Sequence, residues 1–244
     1  MNGAGTDVGA SRGAGQLATL ATGLDRIVVR LAALGGVVME SMTRGQAWRF
    51  LDMGRRLERA MNLVLTLRST LAAPAPAPPP GTAAGDRGPA QGPLLEALLE
   101  VADSVMTYRR RYLATLQAAP VVDLLLTDET NPRSVIFQMA LLGEHLQQLP
   151  RDLTRGHAAT AEGIVLGALG RLRAIDVEAV TEPAADGARV ELGALLGEIA
   201  RELSAVSDSL TGQYLNHAIA SRQLADGGRA GVRAPLPPEG AEPA

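Results

Sequence analysis

Arginine and glutamate carry the one pattern in this 244-residue chain that invites a chemical reading. The stretch "WRFLDMGRRLERA", residues 48–60, holds the only tryptophan, one of two phenylalanines, four arginines and two acids. Stepped at 100° per residue along a helix, Arg44, Trp48, Asp52, Arg55, Glu58, Arg59 and Asn62 gather on one side. Phe50, Gly54, Leu57, Met61, Val64 and Leu65 gather on the other, the expected core face, with Gly54 the expected point of close approach by another helix. The charged side reads two ways. As a solvated face it carries intrahelical pairs such as Asp52–Arg55 and Arg55–Glu58, each worth about 0.2–0.5 kcal/mol. As the wall of a cleft it would hold carboxylate or phosphate through guanidinium forks, with Trp48 covering the ligand or stacking on an arginine.

Two further stretches could join such a cleft. "YRRRY", Tyr108–Tyr112, places three consecutive arginines around about 200° of a helix, with Arg109 and Arg110 opposite the stripe of Leu98, Val101, Val105 and Tyr112. "TDETNPRS" offers Asn131 as an N-cap, Pro132 as the first helical residue and Arg133 beside amides that bind anions readily. Read singly, each is also an ordinary surface or capping feature.

Composition excludes much else. All 23 basic residues are arginine, so there is no Walker A lysine, no Schiff base and no lysine general base. The absence of cysteine removes thiol nucleophiles, thiolate metal sites and disulfides. His145, His157 and His217 lack metal-ligand spacing, no serine or histidine sits in a triad-like motif, and no cofactor motif is present. No metal and no cofactor are therefore expected, and no catalytic residue is assigned. A carboxylate set among arginines is a poor proton acceptor, which argues against Glu58 as a general base. A formal charge of −3 argues against general nucleic-acid binding.

The elements that must position these residues are helical. Aliphatic residues dominate a hydrophobic fraction of 46%, while aromatics supply 2%, a balance suited to packed helices rather than a sheet. Residues 1–15 are expected to be disordered. Leu20, Leu24, Ile27, Val28, Leu31, Leu34 and Val38 mark an amphipathic helix over Gln16–Ser41. "TRGQ" has the form of a capping box that starts a second helix at Thr43, running to about Ala72. A Pro/Ala/Gly linker over 73–92 interrupts. A helix over 93–118, a break at Pro120, a short turn in "VVDLLLTD", a helix from Asn131 to about Leu149 and helices near 158–176 and 188–223 follow, with "EPAADG" between the last two. Residues 224–244 are expected to be a disordered tail. The fold class is all-α: a bundle of about five to seven helices in a domain spanning 16–223. The longest apolar run, "LAALGGVVM", is too short to span a bilayer, and the N-terminus shows no secretory pattern, so a cytoplasmic protein with no membrane partner is expected.

"MESMTRGQAWRFLDMGRRLERA" followed by "YRRRYLATLQAAPVVDLLLTDETNPRS" resembles the alpha-E domain family of bacteria, named for its helical content and a recurrent Glu–Arg pair, here Glu58–Arg59. The resemblance covers about residues 17–150 and fades through 151–223. It implies company: members are often fused to, or encoded beside, a circularly permuted ATP-grasp protein, and a transglutaminase-like protease commonly accompanies them. The implied role is a non-catalytic accessory or binding partner of such a ligase in forming or modifying peptide or amide bonds. The alternatives are an enzyme component acting on an anionic substrate, or a C-terminal remnant of a larger fusion with a structural role. The family domain has two similar halves, and this chain resembles the second. The resemblance also gathers Arg44, Trp48, Arg55, Glu58, Arg59, Tyr108, Arg110, Asn131 and Arg133 into one expected network, serving as a ligand site or as a lock between helices.

Overall fold

The computed structural model describes residues 6–73, 91–112, 115–150 and 157–215. Most of the expected 73–92 linker and the whole 224–244 tail lie outside the described residues, as do residues 1–5. Nine α-helices and no strand occur among the described residues, so the all-α class holds with a helix count above the expected five to seven. They are α1 (Thr6–Ser41), α2 (Gln46–Leu67), α3 (Gln91–Val101), α4 (Val105–Tyr112), α5 (Ala118–Val122), α6 (Val135–Gln147), α7 (His157–Ala174), α8 (Val177–Thr181) and α9 (Val190–Leu210). Wider π-helical turns extend α2 over Arg68–Ala72, α5 over Asp123–Thr127 and α9 over Thr211–Leu215. Two compact units result, residues 1–51 and 52–244, with the boundary inside α2. No helix among the described residues is long and apolar enough to cross a membrane.

The first unit is chiefly α1. This helix opens at Thr6, ten residues before the expected start, because nothing in its Gly/Ala/Ser-rich beginning breaks a helix as proline would. Its end is closed by Arg44, whose Nη2 donates to the Met39 carbonyl at 2.7 Å, satisfying a carbonyl that the last turn leaves open. The next helix starts at Gln46 rather than Thr43. The Gly45 amide turns back to the Thr43 carbonyl at 2.7 Å, and the Gly45 carbonyl accepts the first helical bond, from Arg49, at 3.1 Å. The tight turn displaces the expected capping box.

The second unit is built on α7 and α9. Ala161, Val165, Ala168 and Leu172 of α7 meet Leu192, Leu196, Ile199, Leu203, Val206 and Leu210 of α9, all buried at three- and four-residue spacing. Helix α6 also packs on α7, where a Cβ on Gly143 would lie 3.4 Å from Val165 Cγ1. Val121, Val122 and the three consecutive leucines 124–126 are fully covered, since α3, α6, α7 and α8 surround this segment. A Cβ on Gly193 would lie 3.1 Å from the Ala72 Cβ, so glycine sets how closely α9 meets the π-helical end of α2. Buried Arg189 ties the same corner together: Nε donates to the Thr181 carbonyl at 2.7 Å and Nη1 to the Leu71 carbonyl at 3.3 Å.

Three further boundaries depart from expectation, in the second unit. The 93–118 helix is two helices, because α3 closes in a Schellman turn. The Ser104 amide reaches the Leu99 carbonyl at 2.8 Å and the Asp103 amide the Glu100 carbonyl at 2.9 Å, with Asp103 left-handed at φ 50°. Pro120 sits inside α5 rather than breaking it, because an amide in the first turn has no helical partner to lose. Helix α6 is capped by Ser134, not Asn131: the Phe137 amide donates to Ser134 Oγ at 3.2 Å, while that hydroxyl donates to the Asp128 carbonyl at 2.6 Å. Short α8, capped by Asp176, was hidden within "IDVEAVT" by its length. Replacing Ser134 by Ala should therefore cost about 1–2 kcal/mol of stability in urea titration, since cap and loop anchor are lost together. Gly193→Val should cost about 1–3 kcal/mol by forcing α9 away from Ala72.

Candidate functional site

Within the second unit the inward face of α2 is not the expected one. Asp52, Met53, Ala60, Val64 and Leu67 are buried, whereas Gly54 has open space around it and Leu65 is 46% exposed. The buried stripe is turned by about 100° from the purely apolar projection. The reason is a carboxylate: Asp52 is 3% exposed, and the helix rotates to place it against α6. His145 Nε2 lies 2.9 Å from Asp52 Oδ2 and Arg56 Nε donates to the same oxygen at 3.1 Å, while Arg55 stands 3.8 Å from Oδ1. An ionised carboxylate only accepts, so the histidine nitrogen facing it carries the proton. Burial alone pushes the Asp52 carboxyl up; the hydrogen bond from His145 and the charge of Arg56 outweigh it and hold the group below its ordinary value.

From Asp52 the network runs outward to a cleft. Arg56 Nη1 donates to Gln138 Oε1 at 3.0 Å, and Gln138 Nε2 donates to the Pro132 carbonyl at 2.5 Å. Asn131 fixes the same loop, donating to the Leu124 carbonyl at 2.9 Å and accepting from the Arg133 amide at 3.0 Å. Its role is thus to shape the loop that presents Arg133. The cleft has a volume of about 180 Å³ and its polar lining is Arg59, Asn62, Thr66, Arg133 and Gln138, with Leu63, Leu98 and Val101 among its apolar lining. Arg133 Nη2 also meets Asp103 Oδ2 at 2.5 Å, at an exposed position. Partial burial lowers Arg59 from its ordinary value, and the neighbouring charges of Arg55, Arg56 and Arg133 add to that. Among the described residues no carboxylate comes within ion-pair distance of Arg59, and the more distant Asp52 carboxylate only partly offsets the arginine charges around it.

The other expected members stand elsewhere. Glu58 is exposed and points 100° away from Arg59, into a shallow groove with Ser204, Ser207 and Asp208 of α9. It does not share the arginine cleft. Arg110 is exposed on α4. Tyr108 is buried, its hydroxyl donating to the Thr115 carbonyl at 3.3 Å and accepting from the Gln117 amide at 3.3 Å, a packing role beside Tyr112. In the first unit the Arg44 guanidinium lies 4.4 Å from the Trp48 ring centre, so Trp48 stacks on the residue that caps α1. Sequence reasoning passed over Arg56, Gln138 and His145. Arg56 stands four residues after Asp52, a spacing that favours pairing; the other two lie 82 and 93 residues from their α2 partners and carry no local signal.

The match to known proteins agrees with this helical architecture. A family model described as "a predicted alpha-helical domain with a conserved ER motif" covers residues 7–215. The chain belongs to the Alpha-E family. The match continues through 151–215, where the resemblance of individual stretches faded, and Glu58–Arg59 is the one Glu–Arg dipeptide in the chain. Uncharacterised proteins of Mycobacterium bovis and Mycobacterium tuberculosis are each 33% identical over 198 residues. Those residues are 81% of this chain and 21% of each relative, so the chain spans about a fifth of the length of the curated relatives it matches. No solved structure matches the chain.

In this Alpha-E domain the lowered Asp52 carboxyl gives a pH signature. A carboxylate depressed on folding contributes stability that is present above its unfolded value of about 3.9 and lost as pH falls through the native value. Asp52→Asn should lower stability at pH 7 by on the order of 3 kcal/mol, since it leaves Arg56 and His145 without their carboxylate, and should flatten the acid limb of a stability–pH curve. An unchanged acid limb would remove Asp52 from this account.

Proposed function

We propose that this Alpha-E domain is a non-catalytic binding module that holds an anionic group, carboxylate or phosphate, between Arg59 and Arg133. The observation that carries the reading is the pair of guanidinium groups on one small cleft, with Arg59 in no ion pair among the described residues and crowded by Arg55, Arg56 and Arg133. Like charges held close are relieved by a bound anion. Asn62 and Thr66 add neutral hydrogen-bonding groups that would orient it. At about 180 Å³ the cleft is smaller than the roughly 300–1,000 Å³ of whole-ligand pockets, so it suits one end of a larger molecule. A peptide carboxylate or a phosphorylated terminus has that form.

The wider setting follows from the family resemblance. In it the domain is a cytoplasmic accessory of a circularly permuted ATP-grasp ligase, with a transglutaminase-like protease as a further partner, and the cleft receives the anionic end of the ligase's substrate or product. Glu58, on the other side of α2, is left to face a partner surface rather than the ligand.

Titration calorimetry with acetate, a short peptide and inorganic phosphate tests the cleft directly. Binding should weaken at least about tenfold in Arg59→Ala and in Arg133→Ala, each charged contact being worth about 1.5–3 kcal/mol. Arg110→Ala should leave it unchanged. Equal affinity in all variants would place the anion elsewhere. Co-purification with an ATP-grasp protein, retained in Arg110→Ala, tests the setting separately.

A further inference from the structure

Helix α1 repeats Leu17, Leu20, Leu24, Ile27, Leu31 and Leu34 at alternating steps of three and four, the 3.5-residue period of a coiled-coil seam. Helices α7 and α9 carry a similar spacing and bury it against each other. On α1 the seam is bare: these six side chains are 53–68% exposed, and Val28 and Val37 beside them are 63% and 59% exposed. We infer that α1 is a self-association helix, pairing with α1 of a second copy of this chain.

Three observations favour that occupant. A strict 3.5 period keeps its apolar line facing another helix of the same period, and α1 taken by itself leaves that line exposed. Positions flanking the seam are mostly small or apolar (Ala21, Gly23, Val28, Gly35, Val37), with Arg30 the single charge, so two copies meet little like-charge repulsion. Burial of such a side chain removes roughly 60–120 Å² from water. Eight of them on each of two helices therefore reach on the order of 1,000 Å², the lower bound of specific interfaces. A membrane surface fits less well. Helix α1 carries three arginines and three acids and so lacks the cationic face that interfacial helices show.

Light scattering on the full chain reads the mass directly. At about 100 μM, well above the micromolar range in which a small apolar interface dissociates, it should give twice the 25.4 kDa of one chain. Leu24→Arg with Leu31→Arg should return the single-chain mass while the melting transition of the second unit stays in place. Because the chain has no cysteine, cross-linking supplies an independent reading. Leu24→Cys with Ile27→Cys should link two chains on oxidation in either helix orientation, and Val29→Cys, on the opposite side of α1, should not. A single-chain mass at about 100 μM, a dimer that survives both arginines, or sedimentation of a monomer with anionic vesicles would overturn the inference.

Discussion

A buried carboxylate governs this domain. Asp52 is drawn out of water against α6, and everything on the adjacent side of α2 follows from meeting its needs. An ionised group in that position requires donors, and His145 and Arg56 both supply them at Oδ2. Backbone approach does little of this work: α2 is not among the closest helix pairings, whereas α7 with α9 and α6 with α7 are. Long side chains bridge the gap instead. Arg56 spends its remaining donors on Gln138, and Gln138 spends its amide on the Pro132 carbonyl, so one charge on α2 fixes the loop that presents Arg133.

The Glu–Arg pair gains a physical meaning from the same rotation. Adjacent residues on a helix diverge by about 100°, so Glu58 and Arg59 cannot both face one cleft. Once Asp52 is anchored, Arg59 is directed to α3 and the Arg133 loop, and Glu58 to α9. The dipeptide thus serves two surfaces on either flank of one helix. A polar network closes the loop from the other end: Tyr112 donates to Asp123 Oδ2 at 2.5 Å, Arg111 pairs with Asp128, and Thr130 Oγ1 donates to Asp128 Oδ1 at 2.7 Å. Burial, reinforced by Asp123, raises the Tyr112 phenol well above its ordinary value, so it remains a neutral donor. The loop is held from both sides.

Periodic aliphatic residues made helices legible from composition and spacing, and Arg59 and Arg133 stood among the nine residues expected to gather in one network. The misread positions share a cause. The apolar projection of α2 put Gly54 and Leu65 inward because local sequence values every charge as an outward residue. Trp48 takes the second of its two expected roles, stacking on Arg44 four residues earlier rather than covering a ligand. Asn131 looked like the cap because it precedes proline, and Ser134 is the cap because its hydroxyl can also reach the Asp128 carbonyl.

Amino-acid order therefore determined what short-range physics can determine: an all-α chain, the aliphatic stripes of its helices, and the exclusion of lysine and thiol chemistry. Which face of α2 is buried, where Glu58 and Arg59 part, and which arginine meets which came from contacts across 82 and 93 residues. Helical periodicity is a property of neighbours a few residues apart. The desolvation of Asp52, and the donors it demands, exist only once α6 lies beside α2.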